Sequence, residues 1–191
     1  TDRTKVRHAT IDARVAAAAD LVAAEPDEQW LCWTGFNDEA RKLADLIPGA
    51  VNVEGKDDPD VKAAALMGFA DGDVRIMVSK VSIAGFGMNF QGCARMVFVG
   101  MGDSYEQYYQ AIRRCWRFGQ ERPVTVYVVL TEPEEEIYRN VLRKEREASA
   151  MGESLGRHVA AFIRAELGTM GQRDVYEART PMRVPLWVEA A

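Results

Sequence analysis

Gln110-Ala-Ile-Arg-Arg-Cys-Trp-Arg-Phe-Gly-Gln120 lies between two apolar runs, Arg95–Val99 and residues 124–130, and that setting decides the fold. The second run is β-branched and apolar along its length, as expected of a strand buried on both faces. The stretch between the runs reads as a helix. Asp103 and Ser104 supply N-cap chemistry, Gln107 stands three residues after Ser104 as in a capping box, and Gly119 is placed to end the helix. Gln110, Arg114 and Arg117, at i, i+4 and i+7, would then share one face, with Tyr108, Ile112 and Cys115 on the opposite one. Two guanidinium groups a turn apart can grip a polyphosphate. One binds ground-state oxygens; the other neutralises charge that develops as a terminal phosphoryl leaves. The same spacing also suits arginines paired with carboxylates on a solvated helix face.

Outward from this stretch the pattern repeats. Short apolar runs at 29–33, 50–53 and 74–78 alternate with helical segments at 10–25, 37–47 and 59–70. Asn37 is placed to cap the second helix, which Pro48-Gly49 stops; Asp58-Pro59 opens the third with proline at its first position, and Asp71-Gly72-Asp73 turns the chain. Apolar strands alternating with helices predict an open, mostly parallel α/β sheet covered by helices on both faces. Ligands of such folds bind beyond the carboxyl ends of the strands, where both the arginine stretch and a glycine loop, Gly85 to Asn89, are found. Residues 133–150 form a charged helix, acid first and base last, that complements the helix dipole and reads as a solvated brace. A second helix over 153–167 and a loose tail follow, with Pro185-Leu186-Trp187 placed to pack back on the body. The expected division is a main domain over 1–150 and a helical extension with tail over 151–191.

The chain has 191 residues, 48% hydrophobic, enough for one domain with a full core. A net charge of −5 argues against a broadly basic nucleic-acid coat but leaves room for a local basic groove. Cys32, Cys93 and Cys115 are odd in number and lack metal-ligand spacing, so they read as reduced thiols of a cytoplasmic protein. His8 and His158 are isolated, so no metal site or triad is expected. No apolar run is long enough to span a bilayer and no signal peptide is present, so no membrane partner is expected. The chain begins at Thr1 in place of Met and reads as a piece of a longer protein.

Gln-x-x-x-Arg-x-x-Arg-x-Gly-Gln resembles the last motif of superfamily-two helicases and translocases, in particular the Swi/Snf-type branch and phage DEAD/DEAH-type relatives. Ser79-Lys-Val-Ser-Ile-Ala-Gly-Phe-Gly-Met-Asn89 resembles the preceding motif, which ends Gly-x-Gly-x-Asn, and the gap of about twenty residues between the two fits as well. Gly55, Lys62 and Phe69 resemble, more weakly, the stretch leading into that motif. The likeness covers residues 30–142 and implies a RecA-like second motor lobe. By it, Arg117 is the arginine finger and Arg114 the other phosphate-facing arginine. Gly85, Gly87, Asn89 and Gln110 would face the nucleotide. The family's Ser or Thr that bonds a nucleic-acid phosphate finds three candidates, Ser79, Lys80 and Ser82, of which Ser79 and Lys80 leave the strand end directly. Thr34 and Asn37 would also touch the nucleic-acid backbone. Taken without the resemblance, the glycine loop equally suits a tight βα turn, and Thr34 to Asn37 a capped helix start. Trp116 and Phe118 suit packing against the sheet or a partner lobe better than stacking on a base.

The sequence holds no Gly-x-x-x-x-Gly-Lys-Ser/Thr loop and no Asp-Glu-x-His/Asp box. By the resemblance, ATP and Mg2+ would be bound mainly by a first RecA-like lobe, absent here, which becomes an expected partner together with nucleic acid, DNA favoured over RNA. The implied parent is an ATP-dependent helicase or translocase, and this chain alone should be inactive. The competing readings are a non-catalytic nucleic-acid-binding or docking module of the same fold, and an unrelated nucleotide-binding α/β domain.

Overall fold

The computed structural model describes residues 2–84, 88–100, 102 and 104–169, and within them the side chains of all but residues 2–4, 6, 133, 158 and 161–169. Among the described residues, five strands form one sheet: β1 (Trp30–Thr34), β2 (Ala50–Val53), β3 (Ile76–Ser79), β4 (Arg95–Val99) and β5 (Thr125–Val129). Their order is β2-β3-β1-β4-β5 and every pairing is parallel. This is the RecA-like α/β architecture.

Alternation along the central strand explains how both faces are filled. Trp30 and Cys32 join a core with Ile76, Val78, Val97 and Val99, closed by α2 (Ile11–Ala24) and α3 (Asn37–Leu46) through Val15, Ala18, Leu43 and their neighbours. Leu31 and Trp33 point the other way, joining Met77, Met96 and Phe98 beneath Phe69 of α4 (Pro59–Asp71) and Ala111 of α6 (Tyr105–Ile112). Trp30, Leu31, Cys32 and Trp33 are all buried. Truncating one of the larger of these to alanine would cost about 2–5 kcal/mol, since the site loses transfer energy and gains a cavity.

Local chemistry sets most boundaries as expected. Asp58 accepts a hydrogen bond from the Asp60 amide at 2.9 Å, Pro59 opens α4, and Gly72 ends it in the left-handed conformation at φ +91°. Three expectations need correction. Asn37 is the first residue of α3 and not its cap; Phe36 holds the cap position, and Glu39 reaches back to accept from the Gly35 and Phe36 amides, both at 3.0 Å. A short helix, α5 (Val81–Ala84), replaces plain loop directly after β3. The two C-terminal helices are one, α7 (Glu135–Thr169), because Gly152 costs only about 1 kcal/mol in a helix interior and no proline interrupts it. A further helix, α1 (Asp2–Ala9), precedes α2, and a 3-10 turn, Glu132–Glu134, precedes α7. Residues 170–191, with Pro185, Leu186 and Trp187, lie outside the described residues. By compactness the chain divides into Thr1–Arg146 and Glu147–Ala191.

One polar cluster is buried inside the first unit. Arg14, 1% exposed, donates to the carboxylates of Glu39 and Glu134 and to the Arg7 carbonyl, the last at 2.8 Å. Arg7 donates to Glu134 at 3.0 Å, and the Thr131 hydroxyl to the same carboxylate at 2.8 Å. An arginine at a core position is tolerated because its charge is matched and both terminal nitrogens donate, although its Nε is buried with no partner among the described residues.

Candidate phosphate-binding site

The arginine stretch is only partly helical. Ser104 caps α6, accepting from the Gln107 amide at 3.3 Å, but the helix stops at Ile112 and residues 113–119 form turns. Asp103 lies outside the described residues. The expectation that Gln110, Arg114 and Arg117 share one helical face is therefore corrected. Tertiary bonds compete with helix continuation here. The Arg114 carbonyl accepts from the Phe90 amide at 2.9 Å, and the Cys115 carbonyl from the Gln120 side chain at 3.4 Å. Gly119 reverses the chain at φ +94°. The positive φ favours glycine, and the tip of the exposed Gln91 side chain lies against it, 2.7 Å from where a Cβ would stand.

The turn holds two guanidinium groups without acidic partners among the described residues. Arg114 is half-buried; its Nη1 donates to the Met88 carbonyl at 3.4 Å and its Nε is buried with no partner among the described residues. Burial, with Arg117 beside it, pulls the Arg114 guanidinium below the usual arginine range. Arg117 is exposed and makes no ion pair among the described residues. Arg113 faces elsewhere, lying 5.6 and 5.8 Å from the Tyr109 and Trp116 ring centroids. Trp116 is 56% exposed and Phe118 fully so; neither packs against the sheet. Gln110 is exposed in the last turn of α6. Asn89 donates to Gln91 at 3.1 Å, and Gln91 in turn lies against Gly119, so the end of the glycine loop and the arginine turn are joined. Gly85 and Gly87 lie outside the described residues.

A second feature sits at the carboxyl ends of β1, β3 and β4. There a pocket of about 270 Å3 is lined by Arg7, Thr34, Lys80, Ser82, Ser104 and Gln107, among others. The Thr34 hydroxyl is buried and has no partner among the described residues. Lys80 is partly exposed with no ion pair among them. Tyr108 also lines the pocket; burial pushes its phenol up to about 12, so it stays protonated. Ser79, by contrast, is fully buried at the end of β3 and donates to the Val53 carbonyl at 3.0 Å, so its hydroxyl is already engaged within the sheet. Asn37 is exposed and does not line the pocket. The structure thus brings Thr34, Lys80 and Ser82 together, and separately Asn89, Arg114 and Arg117. Sequence reading missed Arg7 in this pocket and Arg14 beneath it, because nothing in an amphipathic segment marks an arginine as buried. Among the described residues no group of three His, Cys, Asp or Glu side chains could hold a metal ion, and no helix is long and apolar enough to cross a membrane.

A parallel sheet of this order, with paired arginines after the fourth strand and a basic pocket at the strand ends, defines the second RecA-like lobe of a superfamily-two helicase or translocase. The chain belongs to the helicase conserved C-terminal domain family, which matches residues 13–119. It is 29% identical over 106 residues to the bifunctional helicase and thymine dioxygenase JBP2 of Leishmania braziliensis, and equally to those of Leishmania infantum and Leishmania major. That match covers 54% of this chain and 10% of each relative, so the chain spans about a tenth of the length of the curated relatives it matches. In fold it is similar to the C-terminal part of the Fun30 ATPase domain, with a TM-score of 0.60 and 18% identity, covering 67% of this chain and 44% of that one.

Proposed function

We propose that this lobe closes the ATP site of a nucleic-acid-dependent two-lobe motor, a helicase or DNA translocase, and supplies its arginine finger. The single observation that carries the reading is the Arg114–Arg117 pair. Among the described residues, the other buried or half-buried arginines are already engaged: Arg7, Arg14 and Arg95 have carboxylate partners, and Arg75 donates to the Glu28 carbonyl at 3.3 Å. Arg114 and Arg117 face each other's charge instead, and the Arg114 Nε is an orphaned buried donor. Such a pair gains most from an anion that arrives from outside, and a triphosphate offers the charge and the acceptors. Arg114 holds terminal phosphate oxygens; Arg117 neutralises charge in the transition state, a role worth on the order of 10³–10⁵ in rate. Asn89 and Gln110 supply hydrogen bonds near the same turn, and Gly85 and Gly87 let the nucleotide approach the backbone.

The strand-end pocket forms part of the nucleic-acid groove. Lys80 and Thr34 offer donors to backbone phosphate, with Ser82 beside them. Ser79 orders the strand end through Val53, and Asn37 stands outside the pocket at the start of α3. DNA is favoured over RNA on the likeness of the arginine motif to Swi/Snf-type proteins. The first lobe is the partner that cradles the phosphates and holds Mg2+; closure of the two lobes brings the arginines to the γ-phosphate and their release resets the grip. Three buried, unbridged thiols accord with a cytoplasmic home.

Alone, the chain should hydrolyse ATP negligibly, because arginines without a phosphate cradle cannot position the attacking water. Purified first lobe added in trans should restore nucleic-acid-stimulated hydrolysis. Turnover by this chain alone, with contaminants excluded, would contradict the proposal. No turnover from the reunited lobes would favour a non-catalytic binding module.

A further inference from the structure

We infer that Arg7, on helix α1 and upstream of the family-matched segment that starts at residue 13, is a phosphate-binding residue of the nucleic-acid groove. The inference rests on the groove reading of the strand-end pocket given above. Arg7 is held by one edge only. Its Nε donates to Glu134 at 3.0 Å, and its guanidinium lies 4.9 Å from the Phe36 ring centroid. The Nη1 and Nη2 edge makes no hydrogen bond among the described residues, and 20% of the side chain is exposed.

Two glycines make room for that free edge. A Cβ at Gly35, after β1, would stand 3.0 Å from Arg7 Nη2, and one at Gly100, after the adjacent β4, 3.5 Å from it. The guanidinium therefore reaches over the ends of two neighbouring strands and lines the pocket with Lys80. Thr34 and Trp33 also line the pocket, and beneath its surface each carries a buried donor, Oγ1–H and Nε1–H, without a partner among the described residues. Arg7, Arg14, Glu39 and Glu134 sum to no net charge, so Lys80 leaves the pocket positive. A cavity walled by the free edge of Arg7 and by Lys80, with a net positive charge, selects an acceptor-rich anion, and a phosphodiester running over the strand ends fits that chemistry. Helix α1 thereby becomes a wall of the groove.

The test is fluorescence anisotropy of a labelled single-stranded oligodeoxynucleotide on this chain over a range of KCl, for wild type, Arg7→Gln, Arg7→Lys and Lys80→Ala, with thermal midpoints for each. Arg7→Gln should weaken binding about three- to tenfold and lower the slope of log K against log salt by about 0.7, the loss of one phosphate contact. Arg7→Lys should restore most of the slope. If Arg7→Gln lowers the thermal midpoint but leaves the slope unchanged, Arg7 is only a brace for Glu134 and the inference is overturned. If Lys80→Ala weakens binding and Arg7→Gln does not, the groove stands and Arg7 is not part of it. If wild type binds no oligonucleotide, the groove reading itself falls. Inorganic phosphate should compete no better than its ionic strength accounts for; stronger competition would mark a free-anion site and overturn the inference.

Discussion

Arg14→Ala and Arg117→Ala should have opposite effects on stability, and the contrast separates an arginine that holds the fold from one that waits for a ligand. Arg14 is 1% exposed and binds two carboxylates that are themselves 0% and 1% exposed. Removing one partner of a buried ion pair costs about 3–5 kcal/mol, because the remaining charge is stranded. Here the stranding is incomplete. Glu134 keeps Arg7 and Thr131, and Glu39 keeps the Gly35 and Phe36 amides. The lower end, about 3 kcal/mol, is therefore expected, equivalent to a fall of roughly 6–12 °C in thermal midpoint for a chain of this size. Arg117 is exposed, unpaired among the described residues, and unfavourable to Arg114. Its truncation should change stability by less than about 0.5 kcal/mol, on the stabilising side, or within about 2 °C. Thermal unfolding followed by circular dichroism reads both. If Arg117→Ala destabilises as much as Arg14→Ala does, Arg117 is a structural brace and the reasoning from unpaired charge is wrong.

Other consequences are open to measurement. The hydrogen bond from Arg41 holds the Glu54 carboxyl down at about 2, with Lys56 adding to it against the cost of burial. A depressed folded value means its contribution is fully present above the unfolded value of about 4.3 and is lost as pH falls toward about 2, so Glu54→Gln should flatten the acid limb of a stability–pH curve over that window. Gly119→Ala and Gly49→Ala should each cost about 1–2 kcal/mol, because both have positive φ and the exposed Gln91 side-chain tip beside Gly119 can swing away from a Cβ; denaturant midpoints compare them, and a near-neutral value at either would contradict the backbone argument. Cys32, Cys93 and Cys115 are all buried, so a thiol reagent should find almost none of the three in the native protein and all of them in denaturant; prompt native labelling would contradict the packing.

The sheet was legible because its strands carry their own signature. Leu31 and Trp33 serve one core and Trp30 and Cys32 the other, so the short apolar run without alternation, bounded by turn residues, reads as a strand covered on both faces. Asp58, Pro59 and Gly72 set helix boundaries by chemistry confined to a few residues. The arginine turn was legible as a motif but not as geometry. Spacing of i, i+4 and i+7 says helix, yet Phe90, Cys93 and Gln91, all distant in sequence, compete for the backbone and side chains of residues 114–120. Arg7 and Arg14 were invisible for a related reason. Their partners Glu39 and Glu134 are tens of residues away, and one sequence carries no record of such pairings. Ser79, a natural backbone-binding candidate by position, proves to donate across the sheet edge to Val53, which leaves Lys80, Ser82 and Thr34 as the pocket's lining residues from the expected set.

The most direct test of the central claim is steady-state ATP hydrolysis by the two-lobe parent protein, saturated with single-stranded DNA, comparing wild type, Arg117→Ala and Arg117→Lys. The account predicts that kcat falls by about 10³ or more in the alanine variant while KM for ATP changes little, and that lysine rescues poorly because it lacks the planar fork. An Arg117→Ala enzyme that retains wild-type kcat would contradict it.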